Sequence, residues 1–259
     1  MQIKPAYDVA GGGLYTQSGM QSEFRRDALR ISVIASSYVA LSLLSLPVSA
    51  DDHVREFVPE LNGFIKLTDQ TRLFLLGDLT QNLTKDRTEG ELGAHLDFTL
   101  MPVLRPRLTE GDWVRDRYLW MRVGYAVLTT PDSRGTGPEE RRGIIEVTGR
   151  VPLPNEVWLV NRGRVDLRDI QGESSQRYRL RFGIEREFKV GGVVTVPYAQ
   201  AEAFYDTRFD TWNRQLYQFG AEVELTKRWR VEPYYARQND SRSSVERVDR
   251  LGLVLKYFH

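Results

Sequence analysis

The stretch Arg177–Phe188 reads RYRLRFGIEREF, and its alternation restricts the fold more than any other feature of the chain. A strand points successive side chains to opposite faces. One face here carries Arg177, Arg179, Arg181 and Glu185, and the other carries Tyr178, Leu180, Phe182 and Ile184. The same period of two recurs from Glu56 to the end of the chain, where helical periodicity is hard to find. Leu92, Ala94, Leu96 and Phe98 alternate with Glu91, His95 and Asp97. Ile145 and Val147 alternate with Glu146 and Thr148, and Tyr217, Phe219, Ala221 and Val223 with Gln218, Glu222 and Glu224. A soluble sandwich would turn the apolar set inward. A membrane barrel would turn it to lipid and the charged set to the lumen.

Segment length separates the two. The alternating segments run to roughly 10–14 residues, longer than the usual five or six of soluble strands. A tilted strand needs about 9–11 residues to cross a bilayer. The low mean hydropathy of −0.42 fits, because half of each such strand is polar. Eleven segments can be counted. Bacterial single-chain barrels have even strand numbers, so the expectation is about twelve strands, with ten as the fallback. Connections are expected to be short on one rim (153–155, 190–192, 226–228) and long on the other (129–141, 168–176, 205–214, 237–246). The segment 105–117 is long on the short-turn rim. Trp113, Trp120, Trp158, Trp212 and Trp229 fall near strand ends, where interfacial aromatics gather.

The first 50 residues read differently. Arg25, Arg26 and Arg30 precede the uncharged, mostly apolar run Ile31–Leu46, and Val48-Ser49-Ala50 offers a small-residue cleavage site before Asp51. This is the three-part layout of a secretory signal. The run is about 16 residues, short of the roughly 20 of a stable helical span. Residues 1–50 are therefore expected to be a leader and signal peptide, with Met1 or Met20 as the start, and 51–259 the barrel.

Of the 36 basic and 35 acidic residues, the leader holds four and three, so 51–259 carries 32 of each and is formally neutral. A nucleic-acid binder would show a basic excess. Cysteine is absent, which suits an oxidising compartment. No metal-ligand spacing, phosphate loop or nucleophile elbow occurs, so no cofactor and no metal are expected. Histidine outside the leader is limited to His53, His95 and His259. His95 is mid-strand on the polar face with no evident nucleophile partner, and the expectation is that the protein is not an enzyme.

The chain ends RLGLVLKYFH. Arg250, Gly252, Leu255 and Tyr257 fit a polar–x–Gly–x–x–apolar–x–aromatic pattern. This resembles the C-terminal insertion signal of bacterial outer-membrane β-barrels, although Phe258 and His259 follow the aromatic. The resemblance implies location in the outer membrane of a Gram-negative bacterium, contact with its lipid, and recognition of the last strand by the barrel assembly machinery. The strands 162–168 and 177–181, then PYAQAEAFYD (197–206) and EPYYARQ (232–238), make residues 56–259 resemble an uncharacterised family of such barrels. That family implies a fold and a location without an activity. Oligomeric state is not indicated.

On that frame the fold class is all-β, a single antiparallel transmembrane barrel, and the charged residues point inward. Three arginines facing lipid on one strand would each cost about 2–4 kcal/mol at mid-bilayer. Arg162, Arg164, Asp166, Arg177, Arg179, Arg181, Glu185, Glu202, Glu222 and Glu224 are the candidate lumen-lining residues, with arginines on one strand expected to meet carboxylates of the next. They would form either a narrow charged pore for small solutes or an ion-paired filling of a plugged barrel. The rival folds and functions are a soluble periplasmic lipocalin-like barrel binding a small ligand, and an outer-membrane lipid hydrolase.

Overall fold

The computed structural model describes residues 53–85, 87–100, 118–129, 140–243 and 246–259. The expected signal peptide, the segment 105–117 and most of the connection 129–141 lie outside them. The described chain is twelve strands: β1 His53–Lys66, β2 Thr71–Asn82, β3 Arg87–Thr99, β4 Leu119–Thr129, β5 Glu140–Pro152, β6 Val157–Ile170, β7 Glu173–Arg186, β8 Phe188–Val190, β9 Val193–Asp206, β10 Thr211–Glu224, β11 Trp229–Asp240 and β12 Arg247–Phe258. All lie in one sheet, as expected, and the pairing of β9 with β10 closes it. Eleven strands form the closed wall. The twelfth, β8, is a three-residue strand paired only with the start of β9 through the Gly191-Gly192 turn, both glycines at positive φ.

An odd wall cannot close with antiparallel pairs alone. β1 and β12 therefore run parallel, from His53 opposite Arg247 to Phe64 opposite Phe258. Every other pair is antiparallel. The twelve strands expected are present, and eleven of them form the wall because its seam is parallel rather than antiparallel.

The apolar set faces outward. On β7, Tyr178, Leu180, Phe182 and Ile184 are exposed, Phe182 at 55%, while Arg177 is buried and Arg179 and Arg181 largely so. Leu61, Leu75, Leu92, Val147, Phe219 and Leu253 continue this exposed belt around the wall. Along β4 the run Leu119–Val127 rises roughly 20 Å at a strand rise of about 3.4 Å and a tilt of about 40°. That approaches the apolar band of about 25 Å typical of transmembrane barrels. A lipocalin-type barrel would put these leucines inside, so the lipocalin alternative does not match this wall.

The rims differ from expectation. The stretch 168–176 is almost entirely strand, broken only by the two-residue turn Gln171-Gly172 at φ 54° and 87°, the left-handed pair that matches hairpin twist. The stretches 205–214 and 237–246 likewise shrink to Thr207–Asp210 and 241–246. Polar composition resembles loop, but beyond the lipid a strand can be polar on both faces and still pair its backbone. Among the described residues, connections are therefore short on both rims. Trp212 and Trp229 face outward at opposite rims. Trp120 and Trp158 occupy inward positions, and Arg150 lies over the Trp158 ring at 4.7 Å.

Candidate functional site in the lumen

Alternation sends the polar residues of every strand inward, so the lumen is lined by charge. Its densest cluster spans β5 to β9. Glu202 of β9 accepts from three arginines: Arg162 at 2.7 Å, Arg179 at 2.8 and 3.1 Å, and Arg181 at 2.8 Å. Asp166 accepts from Arg164 Nε at 2.5 Å and lies 3.8 Å from Arg179. Glu146 of β5 sits 3.5 Å from Arg162 and 4.0 Å from Arg164. The planar guanidinium fork suits such shared, two-oxygen contacts. Six of the candidate residues, Arg162, Arg164, Asp166, Arg179, Arg181 and Glu202, thus belong to one network. Arg162 reaches Glu202 across the intervening β7, two strand spacings away.

The remaining candidates go elsewhere. Arg177 bonds Asp206 at 2.9 Å rather than Glu202, and Arg168 bridges Asp206 at 2.8 Å to Glu140 at 2.6 Å. Glu185 pairs with Arg150. Glu222 takes Arg230 at 2.9 Å and Lys256 at 2.6 Å, and Glu224 lies 3.8 Å from Arg230. Glu146, Glu222 and Glu224 therefore do not face the arginines as one wall. Glu146 sits among the β6 arginines, while Glu222 and Glu224 take their cations from the next strands, Arg230 of β11 and, for Glu222, Lys256 of β12. The registers give the partners, since Arg177 is directly opposite Asp206, Arg181 opposite Glu202 and Arg230 opposite Glu224.

A second structure lies on β12 and β1–β3. Phe258, Phe64 and Phe74 stack at 4.7 and 4.8 Å, and His95 continues the stack at 5.2 Å. Arg230, Arg72 and Arg122 lie over the three phenylalanine rings at 4.7, 4.3 and 4.0 Å. Arg72 and Arg122 also share Asp97, at 2.7 and 2.6 Å. His95 is 3% exposed and packs on Gly93 and Gly124, where any side chain would strike its ring. Neither of its ring nitrogens has a hydrogen-bond partner among the described residues, and no serine, threonine or acid is hydrogen-bonded to it.

Of the terminal-motif residues, Arg250 and Gly252 face inward, and Leu255 and Tyr257 face outward, Tyr257 against Trp229 at 4.8 Å. Gly252 lies under the ring of Tyr234, and a methyl group there would fall inside that ring.

The sequence marked Glu60, Asp78 and Glu91 as no part of a site, yet the registers set them side by side. Glu60 of β1 is opposite Asp78 of β2, and Asp78 is opposite Glu91 of β3. All three face inward and are partly exposed. Among the described residues no group of three acids or histidines could hold a metal ion.

No family model matches the chain, and no curated protein does. Solved structures that resemble it include a bacterial polysaccharide outer membrane secretin, at 8% identity and TM-score 0.42, covering 72% of this chain and 63% of that one. The β-domain of the Bordetella autotransporter BrkA is similar at 14% identity and TM-score 0.42, covering 70% and 82%. LpxR from Salmonella typhimurium is similar at 10% identity and TM-score 0.43, covering 72% and 83%.

Proposed function

We propose that this protein is an outer-membrane barrel whose lumen is a narrow, charge-lined passage for small solutes. The placement in the outer membrane is supported by the signal-like leader, the terminal motif and the exposed apolar belt; membership of the uncharacterised family named above would add location without activity. The observation that carries the passage is the inequality of the two lumen walls. From β5 to β9 the arginines and carboxylates are bonded to and cover one another. Across β1, β2 and β3, Glu60, Asp78 and Glu91 stand adjacent and partly exposed. Like charges directly opposite on paired strands destabilise a sheet, and a lumen that served only as filling would gain nothing from them.

A second reading, a barrel packed shut, is favoured by Asp97, Asp166 and Asp206, each 0% exposed between two or more arginines. Neither reading uses a catalytic group, cofactor or nucleic acid. Single-channel recording of refolded residues 51–259 in a planar bilayer separates them. Steady current steps, with ion selectivity that shifts on Arg179→Gln, are the expected result. Inserted protein with no steps would establish the packed barrel.

A further inference from the structure

We infer that Glu60, Asp78 and Glu91 form a lumenal binding site for the primary ammonium groups of small solutes, a conclusion that rests on the lumen being a passage. The three carboxylates occupy successive positions across β1, β2 and β3. Neighbouring strands lie about 4.8 Å apart, so the row presents acceptors at that spacing toward the lumen. Their own cations are few. Arg142 reaches Glu91 at 3.3 Å but is shared with Glu140 at 2.9 Å. Glu60 has a hydrogen bond from Asn62 Nδ2 at 2.6 Å, and neither it nor Asp78 belongs to an ion pair among the described residues.

Asn62 supplies the independent sign of a missing partner. It is 5% exposed and reaches the row through its amide, donating Nδ2 to Glu60. Its Oδ1 accepts no hydrogen bond. A buried amide oxygen left without a donor is uncommon and costs about 1–3 kcal/mol. An ammonium group brings three diverging N–H donors and no acceptor, which is what an acid row beside an unpaired amide oxygen lacks. A bare metal ion is the poorer occupant, since the acids do not converge closely enough to coordinate one.

The opposite wall favours the same choice. β7 lies five strands from β2 in one direction and six in the other. There Arg162, Arg164, Arg179 and Arg181 share Glu146, Asp166 and Glu202, so every arginine is already bonded while the group keeps a positive excess. An anion finds no free guanidinium, and a cation is pushed toward the acid row.

The test is calorimetric titration of refolded residues 51–259 in detergent with 1,4-diaminobutane, and with 1,4-butanediol as the uncharged isostere. Saturable binding of the diamine alone is expected, weakened at least tenfold by Glu60→Gln with Asp78→Asn and unchanged by Glu173→Gln at the rim. Asp78→Asn alone serves if the double variant does not refold, with a loss of at least threefold expected. Equal affinity in wild type and variant, or no saturable binding to folded wild type, overturns the site. Conductance of the same preparation keeps the two conclusions apart. Current steps without diamine binding remove the site and leave the passage, and binding without steps removes the passage.

Discussion

Arg250 of the last strand donates Nε to Glu56 of the first at 2.5 Å, across the parallel seam that closes the barrel. The two residues are 194 positions apart. Parallel pairs are slightly weaker per residue than antiparallel ones, and this seam is reinforced from inside by the ion pair and by Phe64 stacked on Phe258.

Arg250→Gln is therefore expected to weaken closure by about 1.5–3 kcal/mol, the range of a charge-assisted hydrogen bond. Urea unfolding in detergent of Arg250→Gln, Glu56→Gln and the double variant measures it. The double variant should lose less than the sum of the singles, since the residues are in contact. Full additivity would mean that the pair does not act as a unit.

Glu202 is the hub of three arginines. Removing its charge leaves Arg162, Arg179 and Arg181 without their main partner, and breaking a buried pair in this way costs about 3–5 kcal/mol. Glu202→Gln should lower the unfolding midpoint more than Arg181→Gln, which leaves Glu202 with two partners. The reverse order would show that the network is held elsewhere.

Phe219 and Glu222 lie three residues apart on β10 and face opposite sides. Phe219→Arg puts a cation into lipid and should reduce assembly, by about 2–4 kcal/mol if the site is at mid-bilayer. Glu222→Gln leaves Lys256 with Glu232 and Arg230 near Glu224, and should fold normally. Equal refolding yields in lipid vesicles would contradict this facing.

Gly252 is needed because the Tyr234 ring covers it. Gly252→Ala should depress membrane assembly, and adding Tyr234→Ala should restore part of the yield by opening the space. Failure of the second change to restore any yield would assign the glycine to recognition by the assembly machinery rather than to packing.

The alternation of RYRLRFGIEREF fixed which way Arg177, Arg179, Arg181, Phe182 and Ile184 point, because a period of two admits only two facings and lipid rejects one. Strand length and the apolar set decided a transmembrane wall by the same local physics. Three features needed the tertiary structure. Closure decided the odd wall and the parallel β1–β12 seam, since parity depends on which edges meet and no local residue encodes that. Cross-strand pairing decided partners, setting Arg177 opposite Asp206 and bringing Arg230 and Lys256 to Glu222. The registers decided that Glu60, Asp78 and Glu91 adjoin, because residues far apart in the chain meet only when neighbouring strands are hydrogen-bonded at a definite offset.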